Sequence, residues 1–224
     1  MSEQRVVQYL IFKLDSLWRR LPQEERHRGR EEFAAAIQSC AKEVMTYSYS
    51  LAGLKAGADL LLWRISPSLD MLQETTSQLM QTGLGRYLET AYSLLGLTRP
   101  SIYVRKPDAQ EQAIFSAERG RYLIIYPFTK TPEWYLLSKE TRQGMMNEHI
   151  RVGKEFSSIR QALIYSFGLD DQEFVVSYET ERLEDFQDLV KALRETEGRR
   201  YTLKDTPIFV GVHRSLEETL ALLG

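Results

Sequence analysis

The chain has 224 residues, with 29 Lys and Arg against 31 Asp and Glu for a formal net charge of -2; lacking a basic surplus to neutralise phosphates, it is not an electrostatic nucleic-acid binder. That length accommodates one large domain or two units of about 110 residues each. Cys40 is the only cysteine, which excludes an intrachain disulfide and a cysteine-based zinc site and fits a reducing, cytoplasmic setting.

The opening "MSEQRVVQYLIFKLD" alternates like a strand and reads as neither a signal peptide nor a membrane span. After Trp18 and Leu21 comes a charged amphipathic helix. Its Arg19, Arg20, Arg26, His27, Arg28 and Arg30 are interleaved with Glu24, Glu25, Glu31 and Glu32, the pattern of a solvated helix face. A second strand–helix run follows at 59–88, with Leu69, Leu72 and Leu79 as its apolar stripe. Residues 97–120 contain two prolines and no clear periodicity, and read as an additional strand or two followed by a loop.

The pattern then starts again. "YLIIYPFTKTPEWYLLSKETRQGMMNEH" (122–149) repeats "YLIFKLDSLWRRLPQEERHRGREEF" (9–33) at a constant offset of 116 residues from the tryptophans onward, pairing Trp18 with Trp134, Arg26 with Arg142 and Phe33 with His149. The later segments match at an offset of 114, pairing Leu69 with Leu183 and "GRY" at 85–87 with "RRY" at 199–201. Each copy reads strand, helix, strand, helix, strand. A βαββαβ-type unit of this kind leaves one sheet face bare. The predicted fold is therefore α+β, two ferredoxin-like halves closing into a dimeric α+β barrel. The predicted divisions are 1–96 and 121–224, joined by 97–120.

A duplication is its own control: features common to both copies read as structural, and features of one copy as candidates for function. The second copy alone has "YPFTK" (126–130), Met145–Met146 and His149. Met145 and His149 are four apart on a helix, with Arg142 one turn earlier, so the three share a face. If that face is buried, His149 needs either a hydrogen-bond partner or a metal. His27 and His213 lie on a charged stretch and near a turn, so a site built from several histidines is unsupported. A lone histidine among methionine and aromatics suits an axial haem-iron ligand better. Strand alternation puts Tyr122, Ile124 and Tyr126 on one face and Leu123 and Ile125 on the other, with pairing expected to stop at Pro127.

The motifs "YPFTKTPEWYLL", "MMNEHIRVG", "RQALIYSFGLDDQEFVVSYET" and "PIFVGVH" together resemble the chlorite dismutase superfamily, and within it the coproheme decarboxylases of haem synthesis. The resemblance covers most of the chain and is strongest from residue 120 onward. It implies that His149 is the proximal iron ligand, that Tyr126 becomes the radical that abstracts hydrogen from a propionate, and that Lys130 assists at the second propionate. Gln161 matches the distal position above the iron, where chlorite dismutases proper have arginine. The adjacent Arg160 points to the opposite strand face, so a register one residue different would exchange the two. Phe128 stands where some members have methionine. Propionate-anchor candidates are Tyr103, Arg105, Arg119, Arg121 and Thr206, and Met145 is expected on the porphyrin side.

The activity so implied is hydrogen-peroxide-dependent oxidative decarboxylation of iron coproporphyrin III to haem b through ferryl iron and a tyrosyl radical, the substrate serving as its own redox centre. The alternatives are a chlorite-degrading haem enzyme and a non-catalytic porphyrin-binding protein. A soluble homopentamer is expected from the resemblance alone.

Overall fold

The computed structural model describes residues 4–104 and 118–224. In chain order the elements are β1 (Val6–Leu14), α1 (Gln23–Ser39), β2 (Met45–Lys55), β3 (Ala58–Ser66), α2 (Leu69–Gln81), β4 (Leu88–Thr98), β5 (Tyr122–Lys130), α3 (Pro132–Leu136), α4 (Lys139–Lys154), β6 (Arg160–Tyr165), β7 (Phe174–Thr180), α5 (Leu183–Arg194), β8 (Thr202–Lys204), β9 (Phe209–His213) and α6 (Leu216–Ala221). They fall into two compact units, one comprising the chain up to Thr98 together with Val210–Gly224, the other Arg99–Phe209. Among the described residues no helix is long and apolar enough to cross a membrane.

The first unit is an antiparallel sheet in the order β4–β1–β3–β2–β9. The β2–β3 hairpin closes at Ala56–Gly57, where Gly57 takes φ +75°, a backbone conformation that costs glycine nothing. Register pairs Leu10 with Leu62 and Phe12 with Leu60, placing these side chains on the helix-covered face. There they join Leu14, Trp18, Phe33, Ile37 and Leu79, with Leu220 and Leu223 from the C-terminal segment, in one buried core. The α1 helix sits hard against its neighbours because it carries Gly29: a Cβ there would stand 2.9 Å from both the Leu84 nitrogen and the Trp18 ring. Phe33, one turn on, is fully buried, a burial that contributes about 2–3 kcal/mol.

The second unit repeats the order strand, helix, strand, strand, helix, strand, with its sheet arranged β6–β7–β5–β8. The middle strand read from sequence in each copy is thus a pair, β2 with β3 and β6 with β7. Tyr126 and Pro127 correct a further expectation. The β5 strand does not stop at Tyr126; it runs through Pro127 to Lys130, with Pro127 opposite Val175 and Phe128 opposite Phe174. In an antiparallel pair only alternate residues exchange hydrogen bonds, so one absent N–H need not end the ladder. The expected additional strands in 97–120 are not found in its described part: β4 ends at Thr98, and 99–104 and 118–120 carry no strand.

By packing, the C-terminal segment belongs with the first unit, so a division by compactness differs there from the division at 121–224 drawn from the repeat. The segment is anchored by a capping box at Ser215 and Glu218 and by the Trp18 indole, which donates to the Gly224 carbonyl at 3.0 Å.

Candidate functional site

The two faces of the second sheet are buried very differently. Leu123, Ile125, Ala162, Ile164, Val175, Ser177 and Glu179 alternate along one face and are all buried. The other face carries Tyr122, Tyr126 and Phe128 from β5, Gln161, Leu163 and Tyr165 from β6, and Phe174 and Val176 from β7. All of these remain half-buried or exposed, although most are apolar or aromatic. Ile124, Tyr178 and Thr180 are the buried exceptions on that face, and Tyr178 packs on Phe186 of α5, ring centroids 5.1 Å apart.

The α4 helix packs beside α5 on the same side. Ser138 caps it, its hydroxyl accepting from the Thr141 N–H. The helix has no buried residue, unlike α1, which buries Gly29, Phe33 and Ile37. The constant offset explains the difference: where α1 has Gly29 and approaches closely, α4 has Met145, and where α1 has Phe33, α4 has His149. A helix bearing the bulkier Met145 cannot approach its neighbours as α1 does at Gly29, and its Arg142–Met145–His149 face stays partly open.

His149 titrates far below an ordinary histidine, at about 4, because burial disfavours the imidazolium and the nearby Lys130 ammonium repels it, with Glu148 opposing. The ring is therefore neutral at pH 7 and keeps a lone pair for a metal. Among the described residues no group of three or more His, Cys, Asp or Glu side chains is arranged to hold a metal ion. A metal held at His149 would have to bring its other ligands with it, as a porphyrin iron does.

Tyr126 and Tyr178 lie beside each other, ring centroids 6.2 Å apart and planes tilted by 32°. Burial first, then the Tyr178 neighbour, keeps Tyr126 protonated well above the usual phenol range. Lys130, at the end of the same strand, places its ammonium 4.3 Å from the Trp134 ring centroid and donates to the Gly198 carbonyl at 3.2 Å. Burial lowers Lys130 to about 8, with Glu173 opposing and Arg199 reinforcing. Glu173 ties this corner together, one carboxylate oxygen accepting from the Lys130 N–H at 2.7 Å and the Tyr135 hydroxyl at 2.6 Å.

On β6, Gln161 lies opposite Tyr178 and Arg160 opposite Glu179. Gln161 therefore shares the open face with Tyr126, whereas Arg160 points to the buried face, its Nη2 3.6 Å from the Glu179 carboxylate. Arg119 joins Arg160 there: its side chain is 1% exposed and its Nη1 lies 3.6 Å from the same carboxylate. Of the anchor candidates, then, Arg119 stands across the sheet from Tyr126. Arg121 is exposed, its guanidinium over the Tyr122 ring at 5.1 Å. Tyr103 comes to the site's edge, stacked edge-on to Trp134 at 6.5 Å, its carbonyl accepting from Gln143 of α4. Thr206 is exposed and precedes a cis peptide bond to Pro207. Arg105 lies outside the described residues.

Sequence reasoning passed over Tyr178, Glu173 and the Asp205 cluster, in which Arg199 and Arg194 hold one carboxylate at 2.7 and 3.4 Å. Each depends on cross-strand register or on a loop return, which no local pattern encodes. Arg142 Nε is buried with no hydrogen-bond partner among the described residues, but so is Nε of Arg26, its counterpart in the first unit. By the same logic of comparison that orphan is structural.

The chain is similar to several known proteins. The sequence profile of the chlorite dismutase family, described as "Chlorite dismutase", matches residues 18–214. A coproheme decarboxylase from Mycolicibacterium smegmatis is 34% identical over 177 residues, covering 78% of this chain and 75% of that protein. A solved structure of chlorite dismutase from Candidatus Nitrospira defluvii in complex with imidazole superposes with a TM-score of 0.89 at 29% identity, covering 98% of this chain and 94% of that one. A mutant of the same enzyme gives 0.90 at 31% identity, with coverages of 98% and 95%.

Proposed function

The chain belongs to the chlorite dismutase family, and within it we propose that it is a coproheme decarboxylase, using hydrogen peroxide to convert two propionates of iron coproporphyrin III to vinyl groups and so form haem b. The observation that carries this reading is the second unit's uncovered aromatic sheet face, with Tyr126 and Gln161 on it and a neutral His149 on the helix at the same side. The first unit fills the corresponding volume with Phe33, Trp18 and leucines. An apolar face left open beneath a helix that buries nothing fits a flat, largely apolar macrocycle.

The roles are those the resemblance implies, and the placement of the residues supports them. His149 ligates the substrate's iron through its neutral imidazole. Tyr126, oxidised to its neutral radical, takes a hydrogen atom from the propionate carbon next to the ring substituent's attachment, re-forming its O–H bond. The carbon radical left behind returns one electron to the iron, the bond to the carboxylate breaks, and carbon dioxide leaves as the vinyl double bond forms. For each propionate, one peroxide and one proton are consumed and two waters are produced. Lys130, whose ammonium lies over the Trp134 ring, supplies a cation that would hold a carboxylate.

Gln161 argues for this branch over chlorite chemistry. Retaining a hypochlorite-like anion beside the iron needs a positive charge, and the neighbouring cation, Arg160, is engaged by Glu179 on the other face. In keeping with the resemblance, we also take the enzyme to be a cytoplasmic homopentamer, which light scattering on the purified protein tests. The function itself is tested by adding ferric coproporphyrin III to purified protein, following binding by the Soret band, titrating peroxide and weighing the porphyrin. Stepwise loss of two carboxyl groups is the expected result. Tight binding with an unchanged porphyrin mass would overturn the proposal in favour of a porphyrin carrier or a chlorite-type enzyme.

A further inference from the structure

Lys130 closes β5 with its ammonium 5.3 Å from the centroid of the Phe128 ring, which is on the open face, and bonded to the Gly198 carbonyl. The residue after Gly198 is Arg199, whose Nη1 meets a carboxylate oxygen of Asp205 at 2.7 Å. Arg194, the last residue of α5, reaches the same oxygen with Nη2 at 3.4 Å. Two guanidiniums therefore share one carboxylate oxygen, and a third cation stands beside them.

The surrounding elements put this cluster at the rim of the open face. The α5 helix lies on that side of the sheet, its Phe186 against Tyr178, and Arg194 extends from its end. The β8 strand runs beside β5 with Lys204 opposite Thr129. Register carried one residue further sets Asp205 level with Phe128 and, by alternation, on the same side. The turn Glu197–Tyr201 packs on α4, where the carboxylate of Glu148, the neighbour of His149, accepts from the Glu197 N–H at 3.0 Å. Glu197 itself pairs with Arg200 in solvent at 3.4 Å, so these two acids are engaged elsewhere. Arg199 and Asp205 are both half-buried.

Folding of the turn does not require these charges. At the offset of 114 that aligns the later segments, Arg194, Arg199 and Asp205 correspond to Met80, Gly85 and Ala91. The first unit closes the equivalent turn at Gly85–Tyr87 so tightly that a Cβ at Gly85 would collide with the Leu79 carbonyl. The cluster is thus specific to the unit with the open face.

We propose that Arg199 anchors a propionate of the porphyrin, and that Asp205 stands in for that propionate in the empty protein. The inference rests on the porphyrin reading of the open face. Asp205 holds the guanidinium in place and compensates its charge until the ligand's carboxylate arrives. Arg194 then keeps Asp205 paired while Arg199 turns its remaining N–H groups to the propionate, since a guanidinium carries five donors in a fixed fork. Arg199 also helps to depress the Lys130 ammonium, a repulsion that a carboxylate between the two cations relieves.

A carboxylate that stands in for the ligand also competes with it. Removing the anchor and removing the competitor should therefore act in opposite directions, which a merely structural ion pair would not do. The test uses ferric coproporphyrin III without peroxide, its dissociation constant read from the Soret band. Arg199→Gln is expected to raise that constant about tenfold, and Arg199→Lys, which keeps the charge but loses the fork, to recover part of the loss. Asp205→Asn is expected to lower it about threefold. Apoprotein melting, expected at or slightly below the parental temperature for both Arg199→Gln and Asp205→Asn, separates these effects from misfolding. An unchanged constant in Arg199→Gln overturns the anchor. A constant at or above the parental value in Asp205→Asn overturns the stand-in role and leaves the pair a structural clamp. If the parent binds coproheme but leaves its propionates intact in peroxide, the decarboxylase reading fails, and the same constants still decide the anchor.

Discussion

Arg160 and Glu179 face each other across β6 and β7, guanidinium nitrogen to carboxylate oxygen at 3.6 Å, and this pair keeps the one cation next to Gln161 off the open face. Transferring the positive charge across the sheet should change the chemistry. Gln161→Arg is expected to raise chlorite consumption by the haem-loaded protein by about a hundredfold, whereas Arg160→Gln leaves it at the parental level. Equal rates for parent and Gln161→Arg would show that this position does not look onto the iron.

Replacing His149 by the residue its counterpart carries separates ligation from folding. His149→Phe should abolish the axial-ligand signature in the Soret region and weaken ferric porphyrin binding, while the apoprotein melts no lower than the parent, since a phenylalanine occupies this place in α1 without cost. The pH dependence has a definite sign. With a folded value of about 4 against about 6.5 in the unfolded chain, the unfolded state binds more protons between the two, so apoprotein stability rises with pH through that window. Iron ligation should accordingly persist at pH 5, where an ordinary histidine would be largely protonated, and fail near pH 4. Loss of ligation already at pH 6 would show that the imidazole is not held neutral.

Much of this was legible in the sequence, for physical reasons that also explain what was not. The offset of 116 residues exposed His149 as the odd member of a pair because a histidine in place of Phe33 breaks a hydrophobic period, and period is what sequence displays. Alternation placed Tyr122, Ile124 and Tyr126 together correctly, since a strand has only two faces. The strand end at Pro127 was misjudged because a proline's effect depends on which side of the ladder lacks the N–H, a matter of tertiary pairing. Arginines were the hardest to place. Arg119 and Arg121 are two residues apart, yet one is sealed against Glu179 and the other lies exposed over Tyr122. The destination of Arg119 is set by a carboxylate some 60 positions later in the chain.

Tyr126→Phe removes a single oxygen from the open face. Because the ring and its contact with Tyr178 survive, ferric coproporphyrin should bind with affinity within about threefold of the parent, while decarboxylation falls by at least about a thousandfold, there being no phenol to carry the oxidising equivalent. Mass analysis of the porphyrin after peroxide addition reads this directly. A variant that still forms vinyl groups at the parental rate would move the radical to another residue.

Lys130 gives the alkaline limb. Its ammonium is lowered to about 8 chiefly by burial, whereas the unfolded value is about 10.4. Between these values the unfolded state holds the proton that the folded state has released, so the cost of burying the charge is fully present below about pH 8 and is relieved as pH rises, and apoprotein stability increases through that window. Substrate binding should run the other way. If the ammonium holds a propionate, raising the pH past 8 removes the cation and the dissociation constant for ferric coproporphyrin III should rise about tenfold by pH 9.5, with a smaller rise for haem b, which has two fewer carboxylates. Lys130→Met should bind coproheme at pH 7 about as weakly as the parent does at pH 9.5, and its affinity should be flat across the range. Because the Lys130 ammonium also depresses His149, the same variant should move the acid limit of iron ligation upward from pH 4 toward the ordinary histidine value. A flat parental profile, or a variant that keeps the alkaline limb, would assign the second carboxylate to a different cation.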